Sequence, residues 1–388
     1  MKMTKEYRIK LNLANSRIQL CLVVVLVVLA SLTVPSDCFR HDDHYPKTIA
    51  ALFVFGDSLI DPGNNNYINT STRFQANFPP YGESFFKYPS GRFCDGRVIP
   101  DFIAEYAKLP FIPPYLQIGY QYQLAYGANF ASAGAGALVE TYPGSVVDLK
   151  TQLWHFNEAE KLPRSNIGRR GAERIVSNSV YLFSIGANDY SSYSRNSNIF
   201  KSSTPEDYVA MVVGNITAAL EEIYKKGGRK FGVLNLPPLG CVPASRAADL
   251  AAGGTGECNG QITALAKLHN VLLSKKLEHL QKQLKGFRYS YFDFFAVFVD
   301  LFDNPSKYGF KEVKGACCGS GPFRGTNSCG GRWGIKDYEL CGNPQDYSFF
   351  DSGHPTQAAN QQFAELIWAG PSNVTGPYNL KSLFQLSL

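Results

Sequence analysis

Three short stretches of this chain put nucleophile, base and acid types just after apolar runs. Gly56-Asp57-Ser58-Leu59 follows the apolar run 51–55 (Ala-Leu-Phe-Val-Phe). A serine on a strand-to-helix turn presents its hydroxyl to a cleft, and the backbone N–H of the same turn can hold an anion. The hydroxyl needs a base before it can attack. The chain has six histidines: His41, His44, His155, His269, His279 and His354. Only His354 has an acid three residues upstream, in Phe349-Phe350-Asp351-Ser352-Gly353-His354-Pro355. A tight turn through Gly353 and Pro355 can bring the Asp351 carboxylate onto Nδ1 and leave Nε2 for the Ser58 proton. The alternative for Asp351 is a cap on a helix starting near Pro355. His155, His269 and His279 lie in helix-like segments and read as surface or packing residues. His41 and His44, in His-Asp-Asp-His, could hold a metal, but they sit beside a processed terminus where fraying is expected. A third stretch, Gly186-Ala187-Asn188-Asp189, follows the run 180–185 and offers the Asn188 amide as a neutral donor.

These residues need elements that bring them together. Residues 51–55, 180–185, 231–234 and 287–292 are short apolar runs bounded by Gly or polar residues, the pattern of buried strands. Amphipathic helical patterns lie between them. The clearest covers about 260–285, with Ile262, Leu265, Leu268, Leu272, Leu277, Leu280 and Leu284 at three- to five-residue spacing and Gly286 placed to stop it. Another carries Val209, Val212, Val213, Ile216, Leu220 and Ile223. Buried strands alternating with such helices predict a mostly parallel sheet covered on both faces. In that architecture ligands bind beyond the carboxyl ends of the strands, where Ser58 and Asn188 fall.

Four motifs then occur in order: Phe55-Gly56-Asp57-Ser58, Asn129-Phe130-Ala131-Ser132-Ala133-Gly134-Ala135-Gly136, Gly186-Ala187-Asn188-Asp189, and Asp351-Ser352-Gly353-His354-Pro355-Thr356. Flanking text includes Asp61-Pro62-Gly63-Asn64-Asn65-Asn66, Gly91-Arg92-Phe93-Cys94-Asp95-Gly96-Arg97 and Ala316-Cys317-Cys318-Gly319. Over residues 50–370 the chain resembles the GDSL-type esterase/lipases of the SGNH hydrolase superfamily, the plant secreted branch in particular. The resemblance implies a three-layer α/β/α, flavodoxin-like sandwich and a serine esterase acting on acyl esters. It implies Ser58 as nucleophile, His354 as base and then acid, and Asp351 as the group orienting His354. It also implies an oxyanion hole from the Ser58 N–H, a backbone N–H of the second motif and the Asn188 side chain. The family often reads Ala-Ser-Gly-Gly-Ala-Gly in the second motif, and Ala133 replaces the first of those glycines here. The donor is assigned to Gly134, with Ala135 and Gly136 as the alternative registers. No metal or cofactor is implied. Acyl transfer through the same acyl-enzyme, and a non-catalytic binding glycoprotein, are the alternative functions. G-x-S-x-G, the P-loop and the Rossmann fingerprint are all missing, so their usual chemistries lose their cradles.

The remaining sequence speaks to compartment and organisation. The chain has 388 residues, 45% of them hydrophobic and 18% charged, which fits a globular protein with a large core and excludes general disorder. The net charge of +6 is not a nucleic-acid signal, because residues 1–36 carry +4 of it. Lys2, Lys5, Arg8, Lys10 and Arg17 precede the apolar run Leu20 to Leu32, the layout of a secretory signal over residues 1–36. Cleavage is expected between Ser31 and Cys38, and an uncleaved membrane anchor is the alternative. No second stretch long enough to span a membrane follows. Residues 37–388 are read as one hydrolase domain, expected to be monomeric, acting on a small-molecule or lipid ester. The C-terminal residues Asn379 to Leu388 carry no retention or lipid-anchor signal, so extracellular delivery is the default and the vacuole the alternative. Sequons at Asn69, Asn215 and Asn373 are candidate glycosylation sites. The body of the chain holds Cys94, Cys241, Cys258, Cys317, Cys318, Cys329 and Cys341. Several should pair in an oxidising compartment, with connectivity not readable from spacing; the 317–341 cluster lacks zinc-knuckle spacing and a nearby His. Tyr81, Phe85, Phe86, Tyr115, Tyr120, Tyr122 and Tyr126 lie in loops, either lining a pocket or packing against the fold.

Overall fold

The computed structural model describes residues 50–117, 125–191 and 203–387, and the side chains of 162–167 fall outside that description. The signal-peptide expectation for 1–36, Cys38, His41, His44, Tyr120 and Tyr122 therefore lie outside the described residues.

Strand β1 (Leu52–Gly56) is buried at every position and takes a central place. Its neighbours are β2 (Gly127–Asn129) and β3 (Val180–Ser184), both parallel to it. Strands β4 (Lys230–Leu234) and β5 (Arg288–Phe292) continue the parallel sheet beyond β3. A last strand, β10 (Thr375–Pro377), pairs antiparallel with β5, so the order is β10-β5-β4-β3-β1-β2. The short apolar runs 51–55, 180–185, 231–234 and 287–292 announced β1, β3, β4 and β5. The edge strands were not legible: Gly-Ala-Asn has low strand propensity, and Gly-Pro argues against a strand except at an edge, where no ladder N–H is needed.

Period-2 alternation splits each strand between two cores. Phe53 and Phe55 point to one face, joining Tyr181, Phe183 and Phe231 in a cluster with α2 (Leu149–Asn178), α4 (Pro205–Lys225) and α6 (Gly260–Gln283). Aromatic rings stack across neighbouring strands there, Phe55 on Phe183 at 4.8 Å and Phe53 on Tyr181 at 5.6 Å between centroids. Leu52 and Val54 point to the other face, against α1 (Ile99–Tyr106), α7 (Phe294–Asp303), α8 (Gln357–Ala369) and α9 (Leu380–Gln385). The result is the three-layer α/β/α sandwich. Helix α4 starts on a Thr204–Asp207 capping box with Pro205 at its first position.

A third cluster lies beneath the loops: Phe78, Tyr81, Phe93, Phe350 and the half-cystines Cys317, Cys318 and Cys329, with Trp333 against them. It joins the loop after β1 to the segment leading into Asp351. Three disulfides close in the described residues, Cys241–Cys258, Cys317–Cys341 and Cys318–Cys329, while Cys94 is a buried free thiol. Cys317 and Cys318 donate their N–H groups to the carbonyls of Phe349 and Phe350 at 2.9 and 2.7 Å, fastening this lobe beside Asp351. No helix among the described residues is long and apolar enough to cross a membrane. The described residues pack as one unit.

Candidate active site

Ser58 sits on the turn that leaves β1. Gly56 ends the strand there because a Cβ would lie 2.2 Å from the Ser184 carbonyl oxygen. The turn is then locked by side chains. Asp57 accepts from the Leu59 N–H at 3.1 Å. Gln152, fully buried on α2, accepts from the Gly56 N–H at 2.9 Å and donates to the Gly56 and Val147 carbonyls at 2.8 Å. The Ser58 backbone N–H has no acceptor among the described residues.

His354 approaches from the other end of the chain. Strand β9 (Tyr347–Phe349) delivers Phe350 and Asp351, and the loop closes with the Phe350 N–H donating to the His354 carbonyl at 2.8 Å. Thr356, not Asp351, caps α8, accepting from the Ala359 N–H. Asp351 is instead turned onto its own loop. Its Oδ1 accepts from the backbone N–H groups of Gly353 and His354 at 2.9 and 2.8 Å. His354 Nδ1 lies 2.7 Å from Oδ1 and 2.9 Å from Oδ2. A charged carboxylate only accepts, so Nδ1 carries the ring proton and Nε2 is free to accept. Nε2 lies 2.8 Å from Ser58 Oγ, closing a continuous relay across 296 residues of sequence.

Electrostatics fit this order of charges. Burial alone would raise Asp351, but the charge and hydrogen bond of His354, then the Gly353 and Tyr81 donors, outweigh it and hold the carboxyl below its ordinary range. Burial pulls His354 down, while the Asp351 charge and hydrogen bond, with Asp57 behind them, leave it raised above 6.5. Asp57 itself is pushed up to about 7 by burial.

The second motif lies against the first. Asp61 accepts from Gly63 and Asn64 through Oδ1 and from the Ala133 N–H through Oδ2. Asn64 donates to the carbonyls of Asn129 and Ala131, and Asn65 to those of Phe74 and Ala133. The Ala133 N–H is therefore engaged, and the Ala135 N–H donates to Ser132 at 2.9 Å. The Gly134 N–H has no acceptor among the described residues. Gly134 has φ +85°, and a Cβ there would sit 2.5 Å from the Phe74 ring. Gly136 faces the Asp189 carboxylate and Thr141. Asn188, on the short helix α3 (Ala187–Ser191), donates one amide hydrogen to the Ala135 carbonyl at 3.0 Å and keeps the second for another acceptor. Asp189 beside it holds the end of the second motif, accepting from Ala137, Leu138 and the Thr141 hydroxyl.

The other sequence candidates are placed elsewhere. His269 is fully buried against Tyr190, 2.8 Å from its hydroxyl, and burial pulls it down to about 3. His155 packs between Tyr115 and Trp154, and His279 is exposed. Tyr126 packs against the core, whereas Phe85 and Phe86 form an outer aromatic group with Phe111. Asn69, Asn215 and Asn373 are all exposed. Among the described residues no group of three His, Cys, Asp or Glu is placed to hold a metal. Sequence reasoning missed Gln152 and the contact of Tyr81 with Asp351. Gln152 left a signal, a polar residue on the apolar face formed by Leu149, Leu153 and Phe156.

Sheet, layers and motif order define an α/β hydrolytic class, and comparison with known proteins specifies it. The family model described as GDSL-like Lipase/Acylhydrolase matches residues 52–367. GDSL esterase/lipase 2 of Arabidopsis thaliana is 54% identical over 341 residues, 87% of this chain and 90% of that protein. GDSL esterase/lipase 5 of the same plant is 52% identical over 344 residues, covering 88% and 89%. A GDSL lipase of Tanacetum cinerariifolium is 50% identical over 362 residues, covering 93% and 94%. The chain belongs to the GDSL-like lipase/acylhydrolase family, and is a carboxylic ester hydrolase of the esterase/lipase type.

Proposed function

We propose that this protein hydrolyses carboxylic esters through an acyl-enzyme on Ser58, with His354 and Asp351 completing the triad. The observation that carries this reading is the relay from Ser58 Oγ to His354 Nε2 at 2.8 Å and from Nδ1 to Asp351 at 2.7 Å. His354 takes the Ser58 proton as Oγ attacks the ester carbonyl. The oxyanion is held by the Ser58 N–H, the Gly134 N–H and the second Asn188 amide hydrogen. Support comes from the unengaged state of both backbone donors and from the fixed rotamer of Asn188. His354 then gives its proton to the departing alcohol, and water, deprotonated by the same imidazole, releases the acid. Asp351 keeps its charge throughout and stabilises the imidazolium. The substrate is a small-molecule or lipid ester.

We further take residues 1–36 as a secretory signal and 37–388 as a single hydrolase domain delivered outside the cell. Three disulfides and exposed sequon asparagines at 69, 215 and 373 support passage through an oxidising, glycosylating compartment. The test is a fluorophosphonate probe on the secreted protein, with the adduct mapped by mass spectrometry. One adduct on Ser58, absent from Ser58→Ala, is expected. A folded protein that takes no label refutes the nucleophile. Product analysis with added alcohol separates hydrolysis from acyl transfer.

A further inference from the structure

The Asp351 carboxylate is held from two sides. Its own loop supplies the Gly353 and His354 N–H groups to Oδ1. The other side is met by a residue 270 positions away, Tyr81, whose hydroxyl donates to Oδ2 at 2.7 Å. Tyr81 is 1% exposed, and its ring is fixed edge-on against Phe78, Phe93 and Phe350 and tilted against Trp333. Phe93 in turn covers the His354 ring at 4.7 Å. Burial and the neighbouring Asp351 push the Tyr81 phenol well up, so it remains a neutral donor.

We infer that Tyr81 is a positioning residue for the hydrolytic relay: its hydroxyl fixes the rotation of the Asp351 carboxylate and draws charge away from His354. The inference rests on the triad reading above. With only Oδ1 bound to backbone N–H groups, the carboxylate is restrained at one oxygen, and a swing about its Cβ–Cγ bond carries both oxygens together. The Tyr81 hydroxyl stops that swing and holds both oxygens within reach of Nδ1. It also stabilises the state in which His354 is neutral and the pair carries a net negative charge. Once His354 is protonated, the imidazolium balances that charge and the phenol matters less. Removing the donor therefore favours proton uptake by the pair, whichever atom receives the proton. The other groups facing this pair are Asp57 towards His354, with Asp61 and Asp189 behind it, and the Cys94 thiol towards Tyr81. All of these residues are kept when Tyr81 alone is substituted, so the shift is read against the same set of charged neighbours.

Tyr81→Phe keeps the ring and deletes only the hydroxyl. On enzyme titrated with fluorophosphonate and assayed with p-nitrophenyl butyrate, kcat is expected to fall about tenfold with KM within about twofold. The acidic limb of kcat/KM is expected to move up by about half to one pH unit. Replacing Tyr81 by 3-fluorotyrosine, a stronger donor of nearly the same shape, moves the limb the other way. That opposite sign decides the matter if the phenylalanine variant does not fold. A packing role alone lowers the active fraction and leaves the limb where it was. A labelled wild type with an unmoved limb in both variants overturns the Tyr81 role alone. A wild type that takes no label overturns the triad and this inference together.

Discussion

Replacing Gln152 by methionine tests whether the nucleophile turn is held from α2. The side chain keeps its length but loses both amide functions. Two buried backbone groups, the Gly56 N–H and the Val147 carbonyl, then lose the partner seen at 2.9 and 2.8 Å. The Gly56 carbonyl is less affected, since it also accepts from the Ser132 N–H at 3.0 Å. An orphaned buried polar group costs about 1–3 kcal/mol, so the two together predict a loss of about 2–6 kcal/mol. That is a large share of a total stability of about 5–15 kcal/mol. Urea unfolding should show a lower midpoint at unchanged m. Below the transition, where the variant is still folded, fluorophosphonate labelling of Ser58 should slow about tenfold or more, because the turn two residues before it is no longer pinned. A stability change under about 0.5 kcal/mol with unchanged labelling refutes the clamp.

Asn188→Ala removes one proposed oxyanion donor and should lower kcat about a hundredfold or more, from about 2.7–4 kcal/mol of lost transition-state stabilisation; a loss below about threefold takes Asn188 out of the site. His354 must be neutral to accept the Ser58 proton, and its affinity for protons is raised by Asp351. Activity should therefore fall as pH drops through a midpoint above 6.5, and a flat kcat/KM profile from about pH 5 to 9 contradicts a histidine base. His269 is depressed to about 3 in the folded chain, so the unfolded chain binds its proton first. Its contribution is present above about pH 6.5 and is lost at about 1.4 kcal/mol per pH unit as pH falls towards 3. His269→Gln should abolish that slope, and denaturant melts at pH 6 and 4 that keep the same difference between the two proteins would rule it out.

Much of this molecule was legible in its sequence, and the reason is local. Short apolar runs bounded by Gly or polar residues read as buried strands, so β1, β3, β4 and β5 and a sheet covered on both faces followed from period and order. Strand-end position and a three-residue spacing made Ser58, Asp351 and His354 candidates, and the four motifs in order, through the family resemblance, gave them their roles. Tertiary structure decided what depends on contacts between distant segments. Spacing could not choose among disulfide pairings, which needed the lobe beside Phe349 and Phe350 to bring Cys317 to Cys341 and Cys318 to Cys329. It could not say that the Ala133 and Ala135 N–H groups of the second motif are taken, because that depends on Asp61 and Ser132 engaging them. Nor could it reveal that Gln152 and Tyr81 brace the two ends of the relay. Gln152 reaches Gly56 across 96 residues and Tyr81 reaches Asp351 across 270, and no periodicity or motif encodes a partner at that range.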